Sequence, residues 1–357
     1  MKHLSVGPYA GSCSNSPAMR RPLLISHDFS YSGAPIALLT LAKSLKRLGE
    51  HPIVVALSSG PLRSHFLESG IELAEKVDPA SVAFVIANTV VSVPAALQFK
   101  KFGVPVAAWI HESMYFFKSL RISLEDCGLT NLDVVLTPSR FQLDEFEPFL
   151  PKSGSYQLRN AVEQNWFRPS GEEPLFAVSG QWERRKGQQD LLRLARDARV
   201  NCVFKFIGAH RPEHDPENLI GPQHKFLGPV RPEVARLEIA KSDAIVSCAE
   251  AEVQPLSAIE ALMAGRPALL SDIPAHRVFA DLIPNVFLFD RSSHQSFNKG
   301  MEKLIVAVPN QDVARQASRT ARSLFDEAAF DRRLKDLLEI IRRGKPPDAT
   351  ISFFQDA

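Results

Sequence analysis

The sequence Pro22-Leu-Leu-Ile-Ser26 is followed by a polar loop, a leucine-rich segment and a second apolar run, Ile53-Val-Val-Ala-Leu57. A short apolar run between polar loops is typical of a strand buried on both faces of a parallel sheet. In the segment between the runs, leucines recur at three- and four-residue spacing and precede Gly49: Leu38, Leu41, Leu45 and Leu48. This spacing predicts an amphipathic helix that ends at the glycine. The stretch therefore predicts a strand–helix–strand unit, the building block of an α/β fold.

The same alternation continues on both sides of one interruption. Further strand-like runs are found at residues 83–87, 104–110, 134–137, 175–179, 202–207, 244–248, 268–271 and 286–289. Helical patterns lie between them, and a closing helix is expected at about 324–343, packed back toward the first domain. Residues 160–174 carry Asn, Pro, Gly and charged residues without an apolar period, which is typical of a linker. We therefore expect two doubly wound α/β domains, 1–168 and 169–357, with a ligand cleft between them at the carboxyl ends of their strands.

Length and composition agree with two soluble globular domains. The 357 residues are 45% hydrophobic and 23% charged, and the formal net charge is +2. A near-neutral balance argues against nucleic-acid binding, which needs a concentrated basic face. The four cysteines are far apart and form no C-x-x-C pair, so neither a zinc site nor a disulfide framework is expected. The first twenty residues lack the apolar core of a secretory signal, and we expect a cytoplasmic protein.

Two glutamates flank the predicted start of a helix in the second domain. They belong to Glu252-Val-Gln-Pro-Leu-Ser-Ala-Ile-Glu260, which small residues and Gly265-Arg-Pro267 follow. The free N–H groups and the positive dipole end at a helix start suit a phosphate. A carboxylate on either side can accept hydrogen bonds from sugar hydroxyls. For either glutamate alone, a surface position favoured by the helix dipole is the better explanation.

A basic loop and a histidine are predicted at strand ends. Glu183-Arg-Arg-Lys-Gly187 lies between a strand and a helix, so its cations should reach the end of the sheet that Glu252 occupies. Fixed cations at this position would stabilise a departing diphosphate, although a solvated charge run has the same composition. His111 ends the run 104–110; a partly buried structural histidine is the alternative to a ligand contact there.

Taken together, these motifs resemble the retaining glycosyltransferases of family 4, group 1, which have the GT-B architecture of two tandem Rossmann-like domains facing a central cleft. The signature of that family is a Glu, seven residues, and Glu-Ala-(Met/Leu)-Ala-x-Gly-x-Pro, and Glu252 to Pro267 follow it in register. Other segments that resemble the family are Ser30-Tyr-Ser-Gly33, Trp109-Ile-His111-Glu112, Thr137-Pro-Ser139, Leu158-Arg-Asn160-Ala-Val162, Gly180 to Gly187 and Phe226-Leu-Gly228-Pro-Val230.

The resemblance implies an enzyme that transfers a sugar from a nucleotide diphosphate sugar, UDP- or GDP-linked, to a hydroxyl of a glycan, glycolipid or small glycoside. The expected catalytic residues are His111, Arg185, Lys186 and Glu252. The expected donor-binding residues are Gly33, Gly180, Val230, Leu256, Ser257 and Glu260. No cofactor or metal is expected, because Asp-x-Asp occurs nowhere in the chain and the family uses Arg, Lys and helix amides in place of the ion. The resemblance also implies a role in polysaccharide biosynthesis.

Two departures from the family keep an alternative open. Gln181 stands where the family often has Arg, and Val253-Gln-Pro255 stands where it usually has Gly-Phe-Gly. Since Pro255 has no N–H to give to a phosphate, Leu256 and Ser257 must supply the amides. The alternative is a non-catalytic GT-B subunit that binds a nucleotide sugar for a partner enzyme. A dinucleotide-dependent oxidoreductase is excluded, because the loop after the first strand has only Gly33 instead of G-x-G-x-x-G.

Membrane contact also has two interpretations. Five cations on two predicted helices of the first domain could face anionic lipid at the inner side of the membrane, or they could belong to ordinary solvated helix faces: Lys43, Lys46, Arg47, Lys100 and Lys101.

Overall fold

The computed structural model describes residues 5–6, 20–152, 154–163, 174–196, 202–210 and 216–344. The chain divides into two compact units. The first unit runs up to Arg159 and resumes at Phe330, and the second is Asn160–Ala329. The predicted boundary at 168/169 and most of the predicted linker lie outside the described residues.

The first unit alternates strands and helices, as the apolar runs predict. In chain order its elements are β1 (Ser5–Val6), β2 (Arg21–Ser26), α1 (Gly33–Arg47), β3 (Ile53–Ala56), α2 (Arg63–Glu68), β4 (Glu72–Leu73), β5 (Lys76–Val77), β6 (Val82–Asn88), α3 (Val93–Leu97), β7 (Val106–Trp109), α4 (Met114–Leu120), β8 (Val134–Thr137), α5 (Arg140–Phe146) and β9 (Ser155–Gln157). Short 3₁₀ helices connect several of them: Pro79–Ser81, Val90–Ser92, Gln98–Phe102, Glu125–Cys127, Leu129–Asn131 and Glu147–Phe149.

The main sheet of this unit is parallel. Among the described residues its strand order is β4-β3-β2-β6-β7-β8-β9, and β1 pairs separately with β5. Consecutive residues of β2, β6 and β7 are buried, because both faces of a parallel sheet are covered. The carboxyl ends of β2, β6 and β7 therefore lie side by side, in the register that pairs Ser26 with Asn88 and Asn88 with Trp109.

The second unit repeats the pattern. Its elements are β10 (Leu175–Ser179), α6 (Gln188–Arg196), β11 (Val203–Ile207), α7 (Pro216–Leu219), β12 (Lys225–Gly228), α8 (Pro232–Lys241), β13 (Ala244–Ser247), α9 (Leu256–Met263), β14 (Ala268–Ser271), α10 (Pro274–Leu282), β15 (Val286–Phe289), α11 (His294–Ala307) and α12 (Gln311–Phe325). A 3₁₀ turn at Arg184–Lys186 precedes α6. The described strands form a parallel sheet in the order β12-β11-β10-β13-β14-β15.

The last described helix, α13 (Glu327–Arg343), belongs to the first unit from Phe330 onward. There the Nε atom of Arg47 lies 2.7 Å from a carboxylate oxygen of Asp331, and the Phe330 ring lies 5.8 Å from the Trp109 ring. The helix begins at Glu327 instead of near residue 324. Asp326 separates it from α12, because its carboxylate accepts a hydrogen bond from the Ala329 amide at 2.7 Å and so caps α13.

The fold class predicted from the sequence is confirmed: both units are parallel-sheet α/β domains. Four strands have the bounds of their apolar runs, at residues 134–137, 175–179, 268–271 and 286–289, and the bounds of the other predicted strands differ by one or two residues. For example, the run 104–110 contributes only Val106–Trp109 to the sheet. Ile110 and His111 therefore lie just beyond the strand end, where parallel folds hold their ligands.

Candidate functional site

Three predicted residues of the second unit are in direct contact. The Lys186 ammonium contacts one carboxylate oxygen of Glu252, and Nη1 of Arg185 lies 3.3 Å from the other. Nη1 of Arg185 also donates to the Ala251 carbonyl at 2.8 Å, and its Nη2 donates to Glu183 at 2.6 Å. The loop after β13 and the turn before α6 are thus joined through one carboxylate and two cations.

The charges of this cluster stabilise one another. Burial raises the pKa of Glu252, but Lys186 and Arg185 outweigh burial and hold that pKa below its usual value. Burial also lowers the pKa of Arg185, and the carboxylates of Glu252 and Glu183 reverse the effect and raise it. The Glu252 side chain is only 10% exposed. The site therefore holds two cations in fixed positions at the edge of the protein interior, which suits an anionic ligand.

The loop Gly180 to Gly187 needs glycine at both ends. Gly187 has φ of +67°, and a Cβ there would lie 2.1 Å from the Cys248 carbonyl oxygen. Gly180 has φ of +137°, and a Cβ there would meet Cε of Lys186 at 3.2 Å. The loop is also held by the buried Gln188, whose amide donates to the Gln181 carbonyl at 3.0 Å. The sequence did not single out Gln188, since its role depends on the folded loop.

The predicted amides lie at the start of α9. Leu256 and Ser257 are its first two residues, both half-buried, and Pro255 precedes them as the N-cap. The N–H groups of a first helical turn have no partner within the helix. In the same loop Gln254, a departure from the family pattern, accepts a hydrogen bond from the Asn160 amide at 2.6 Å. The departure thus has a structural role at the beginning of the second unit.

Glu260 lies one turn further along α9, in a different electrostatic setting from Glu252. Burial raises its pKa to about 7, Arg236 opposes this, and Glu163 adds to it. Arg236 is itself paired with Glu163 at 2.8 Å. The half-buried Val230 packs against the core cluster that contains Ala258 and Ile259 of α9. Val230 therefore packs against a core cluster to which the helix of Glu260 contributes, whereas Glu252 and Lys186 contact each other directly.

In the first unit, His111 lies directly beyond β7. Its Nε2 is 3.1 Å from Oδ1 of Asn88, the last residue of β6. Burial, reinforced by the nearby His27, lowers the pKa of His111 to about 3. The imidazole is therefore neutral at physiological pH. A neutral imidazole can donate from one nitrogen and accept at the other.

The residue after His111 is the half-buried Glu112. The Glu112 carboxylate accepts from the Val90 amide at 3.1 Å and from the His111 amide at 3.2 Å. Burial raises its pKa to about 7 in spite of these hydrogen bonds. In the sequence, the only signal for Glu112 is its position after a predicted strand, and no signal indicates Asn88.

Gly33 opens α1 and is exposed. A close backbone approach in this region occurs at Gly60, where a Cβ would lie 2.3 Å from the Phe29 carbonyl oxygen. The sequence did not identify Gly60, because the contact joins two loops about thirty residues apart. Gly33 is still connected to the histidine site, since Asn88 also bonds to the neighbouring Ala34.

Several cations proposed for a basic lipid-facing surface are engaged within the first unit. Lys46 donates to the Ser69 carbonyl at 2.9 Å, Arg47 pairs with Asp331, and Lys100 lies 2.8 Å from Asp133. In the part of the chain that the structure describes, no helix combines the length and apolarity needed to cross a membrane. Over the same residues, no three His, Cys, Asp or Glu side chains are grouped as metal ligands.

Two family models match the chain. The model described as "Glycosyl transferases group 1" matches residues 162–322, and the model described as "Glycosyl-transferase family 4" matches residues 18–127. Together they cover more than half of the chain. No curated protein sequence matches it.

Solved structures show the same fold at low identity. HepE of Anabaena, crystallised in complex with UDP-glucose, is 15% identical, with 89% of this chain and 99% of that chain covered and a TM-score of 0.77. Sucrose-phosphate synthase of Thermosynechococcus elongatus is 15% identical, with 90% and 98% covered and a TM-score of 0.72. A glycosyltransferase of Rickettsia africae is 14% identical, with 90% and 98% covered and a TM-score of 0.71. The protein therefore belongs to the group 1 glycosyltransferases of family 4, and its two α/β domains are the tandem Rossmann-like domains of the GT-B fold.

Proposed function

We propose that the protein transfers a sugar from a nucleotide diphosphate sugar to an acceptor hydroxyl with retention of anomeric configuration and without a metal ion. The observation that carries the proposal is the cluster of Arg185, Lys186 and Glu252 beside the start of α9. It offers cations for a diphosphate and a carboxylate for sugar hydroxyls. A uridine nucleotide is the first donor to test, since the similar HepE was crystallised with UDP-glucose.

In the proposed reaction, the bond from the anomeric carbon to the diphosphate breaks, and a bond to the acceptor oxygen forms on the same face of the sugar. The acceptor proton passes to an oxygen of the departing phosphate. Arg185 and Lys186 neutralise the charge that grows on the diphosphate, and they act more strongly on the transition state than on the ground state. The amides of Leu256 and Ser257 add their N–H groups and the helix dipole.

The remaining residues position the donor. Glu252 accepts hydrogen bonds from the sugar, Glu260 accepts them from the ribose, and the main chain of Val230 meets the base. Gly180 gives room to Lys186, and Gly33 borders the loop of the first unit that approaches the diphosphate. His111 contacts the sugar as a neutral imidazole. The acceptor is a carbohydrate or glycolipid hydroxyl, and a cytoplasmic location completes the proposal.

The test measures nucleotide release and glycoside formation from UDP-, GDP- and ADP-sugars, with and without EDTA, followed by NMR of the anomeric proton of the product. We expect turnover that EDTA leaves unchanged and a product with the anomeric configuration of the donor. Lys186→Ala should abolish turnover, while Arg184→Ala, a change at an exposed cation of the same turn, should keep it. Tight nucleotide binding without turnover would favour the non-catalytic subunit, and inversion would refute the retaining mechanism.

A further inference from the structure

One buried amide in the first unit connects two parts of the proposed site. Asn88, which is completely buried at the end of β6, places its Oδ1 3.1 Å from Nε2 of His111. Its Nδ2 donates to the carbonyl of Ala34 at 2.9 Å. Ala34 is the second residue of α1 and follows Gly33. A single side chain therefore spans from the histidine to the start of the first helix.

These two contacts determine where the imidazole proton lies. Because the Asn88 NH₂ group donates to Ala34, the oxygen of the amide is the atom that faces His111. An amide oxygen only accepts hydrogen bonds, so Nε2 of His111 must be the protonated nitrogen. Since burial and His27 keep the ring neutral, Nδ1 carries no proton. Its lone pair is left to accept a hydrogen bond.

The backbone around Asn88 is held firmly. Thr89 has φ of +88°, a conformation that is costly for a β-branched residue. It is kept there by hydrogen bonds on either side: its own amide donates to the Trp109 carbonyl at 2.9 Å, and the Val90 amide donates to Glu112. The Ser92 hydroxyl donates to the Asn88 carbonyl at 3.2 Å. Strain of this kind persists where the surroundings determine the conformation, which is common at functional sites.

We propose that Asn88 is a positioning residue of the transferase: it fixes His111 as the neutral Nε2–H tautomer, so that Nδ1 accepts a hydrogen bond from a hydroxyl of the donor sugar. The inference rests on the proposed function, in which His111 contacts the sugar. It predicts that His111 accepts a hydrogen bond from a sugar hydroxyl, and that the protein fixes which imidazole nitrogen carries the proton before the sugar binds.

Other titratable groups face the same imidazole. His27 lies close enough to lower its pKa, and the Glu112 carboxylate accepts a hydrogen bond from the His111 amide. Asp28 lies 3.5 Å from the His27 ring nitrogen. The Trp109 ring, 4.5 Å from the imidazole, carries no charge. A pH profile of any variant must therefore be compared with that of the wild-type protein, which carries the same neighbouring groups.

The tautomer can be read directly from ¹⁵N NMR of protein labelled at histidine, with the His111 signal assigned by its loss in His111→Gln. In the wild type we expect a protonated Nε2 and an unprotonated Nδ1. Asn88→Leu removes the acceptor and should release the ring into a mixture of tautomers. Asn88→Asp keeps an acceptor but places a negative charge beside the ring, so both nitrogens should carry protons near neutral pH. Ser92→Ala is the matched control: it removes one hydrogen bond to the Asn88 main chain but keeps both side-chain contacts of Asn88, so the His111 signals should be unchanged.

Activity measurements separate this role from a structural one. In Asn88→Leu we expect kcat/KM to fall about 10- to 100-fold, the effect of losing one buried hydrogen bond. In Asn88→Asp we expect kcat/KM to be low near neutral pH and to recover as pH rises. At higher pH, Nδ1 loses its proton and can again accept a hydrogen bond, while Nε2–H still donates to the Asp carboxylate. A variant that merely fails to fold would show no such recovery, and the thermal unfolding midpoint checks its folded state.

An unchanged His111 tautomer in Asn88→Leu would overturn the proposal. A changed tautomer with unchanged kcat/KM would overturn the role in transfer. If the wild-type protein turns over no nucleotide sugar, the proposed function fails and this role in transfer fails with it. The NMR spectra would then still decide whether Asn88 sets the tautomer, so the two failures are distinguishable.

Discussion

Lys186 and Glu252, 66 residues apart in the chain, form an ion pair in the second unit. Arg185 contacts the same carboxylate from its other side. In the proposed reaction the two cations bind a diphosphate and the carboxylate binds a sugar. Because Arg185 and Lys186 both pair with Glu252, a diphosphate that binds these two cations must compete with this carboxylate.

This competition gives the first prediction. Glu252→Gln should lower transfer about 100-fold or more, because the neutral amide accepts sugar hydrogen bonds less strongly. The same change should tighten binding of the free nucleoside diphosphate about tenfold, since Arg185 and Lys186 lose an intramolecular anion. Isothermal titration calorimetry measures the binding. Glu250→Gln, at an exposed position of the same loop, is the control and should change neither quantity. Weaker diphosphate binding in Glu252→Gln would show that the carboxylate does not compete.

The second prediction concerns the effect of pH through Glu260. Its pKa is raised from 4.5 to about 7 in the folded protein, so the folded state favours the protonated acid. The associated stability is present below pH 4.5 and is lost as pH rises toward 7, in all about 3 kcal/mol. Glu260→Gln should remove this part of the pH dependence of the free energy of unfolding, which urea unfolding between pH 5 and 8 measures.

The same titration should affect the ligand. If the ribose hydroxyls donate to the Glu260 carboxylate, nucleotide binding should strengthen as pH rises through about 7, and Glu260→Gln should bind with an affinity that no longer changes over this range. The Glu112 pKa is also about 7, so Glu112→Gln serves as the comparison. Equal pH profiles of binding in wild type and Glu260→Gln would argue against the ribose assignment.

The third prediction tests the loop geometry at Gly187. Gly187→Ala introduces a Cβ at φ of +67° that would lie 2.1 Å from the Cys248 carbonyl oxygen. Backbone strain alone costs about 1–3 kcal/mol, and the clash adds to it by displacing the turn that carries Arg185 and Lys186. Gly49→Ala is a matched control, because its φ is +85° but no atom lies within 4 Å of the added Cβ. Urea unfolding should show a larger decrease in the free energy of unfolding for Gly187→Ala than for Gly49→Ala. Equal decreases would mean that the turn accommodates the added Cβ without further cost.

Much of the fold follows from local patterns in the sequence. Apolar runs such as Ile53–Ala56 and leucines at helical spacing predict the two parallel sheets, because burial on both faces leaves a continuous apolar signature. The strand-end positions of Glu252 and His111 follow from the same reasoning. The break at Asp326 was missed, since capping by one carboxylate leaves the helical period of its neighbours intact.

The contacts within the site are less predictable. Arg185 and Glu252 can be assigned to the same end of a sheet, but their pairing depends on loop conformations that the spacing does not define. The partners of Asn88 and Gln188 are main-chain and ring atoms of other segments, and amide residues in such positions carry no pattern of their own. The requirement for glycine at position 60 likewise depends on the Phe29 carbonyl, which lies beside Gly60 only in the folded protein.

The central claim is that Arg185, Lys186 and Glu252 form the binding site of a nucleotide diphosphate sugar. The most direct test is thermal unfolding with UDP, GDP, ADP and their sugar conjugates in the presence of EDTA. A ligand at 100 times its Kd stabilises the folded state by about 2.7 kcal/mol. We predict a clear rise of the unfolding midpoint with nucleotides of one base, which Lys186→Ala abolishes. No rise with any of these nucleotides, or an equal rise in Lys186→Ala, would contradict the claim.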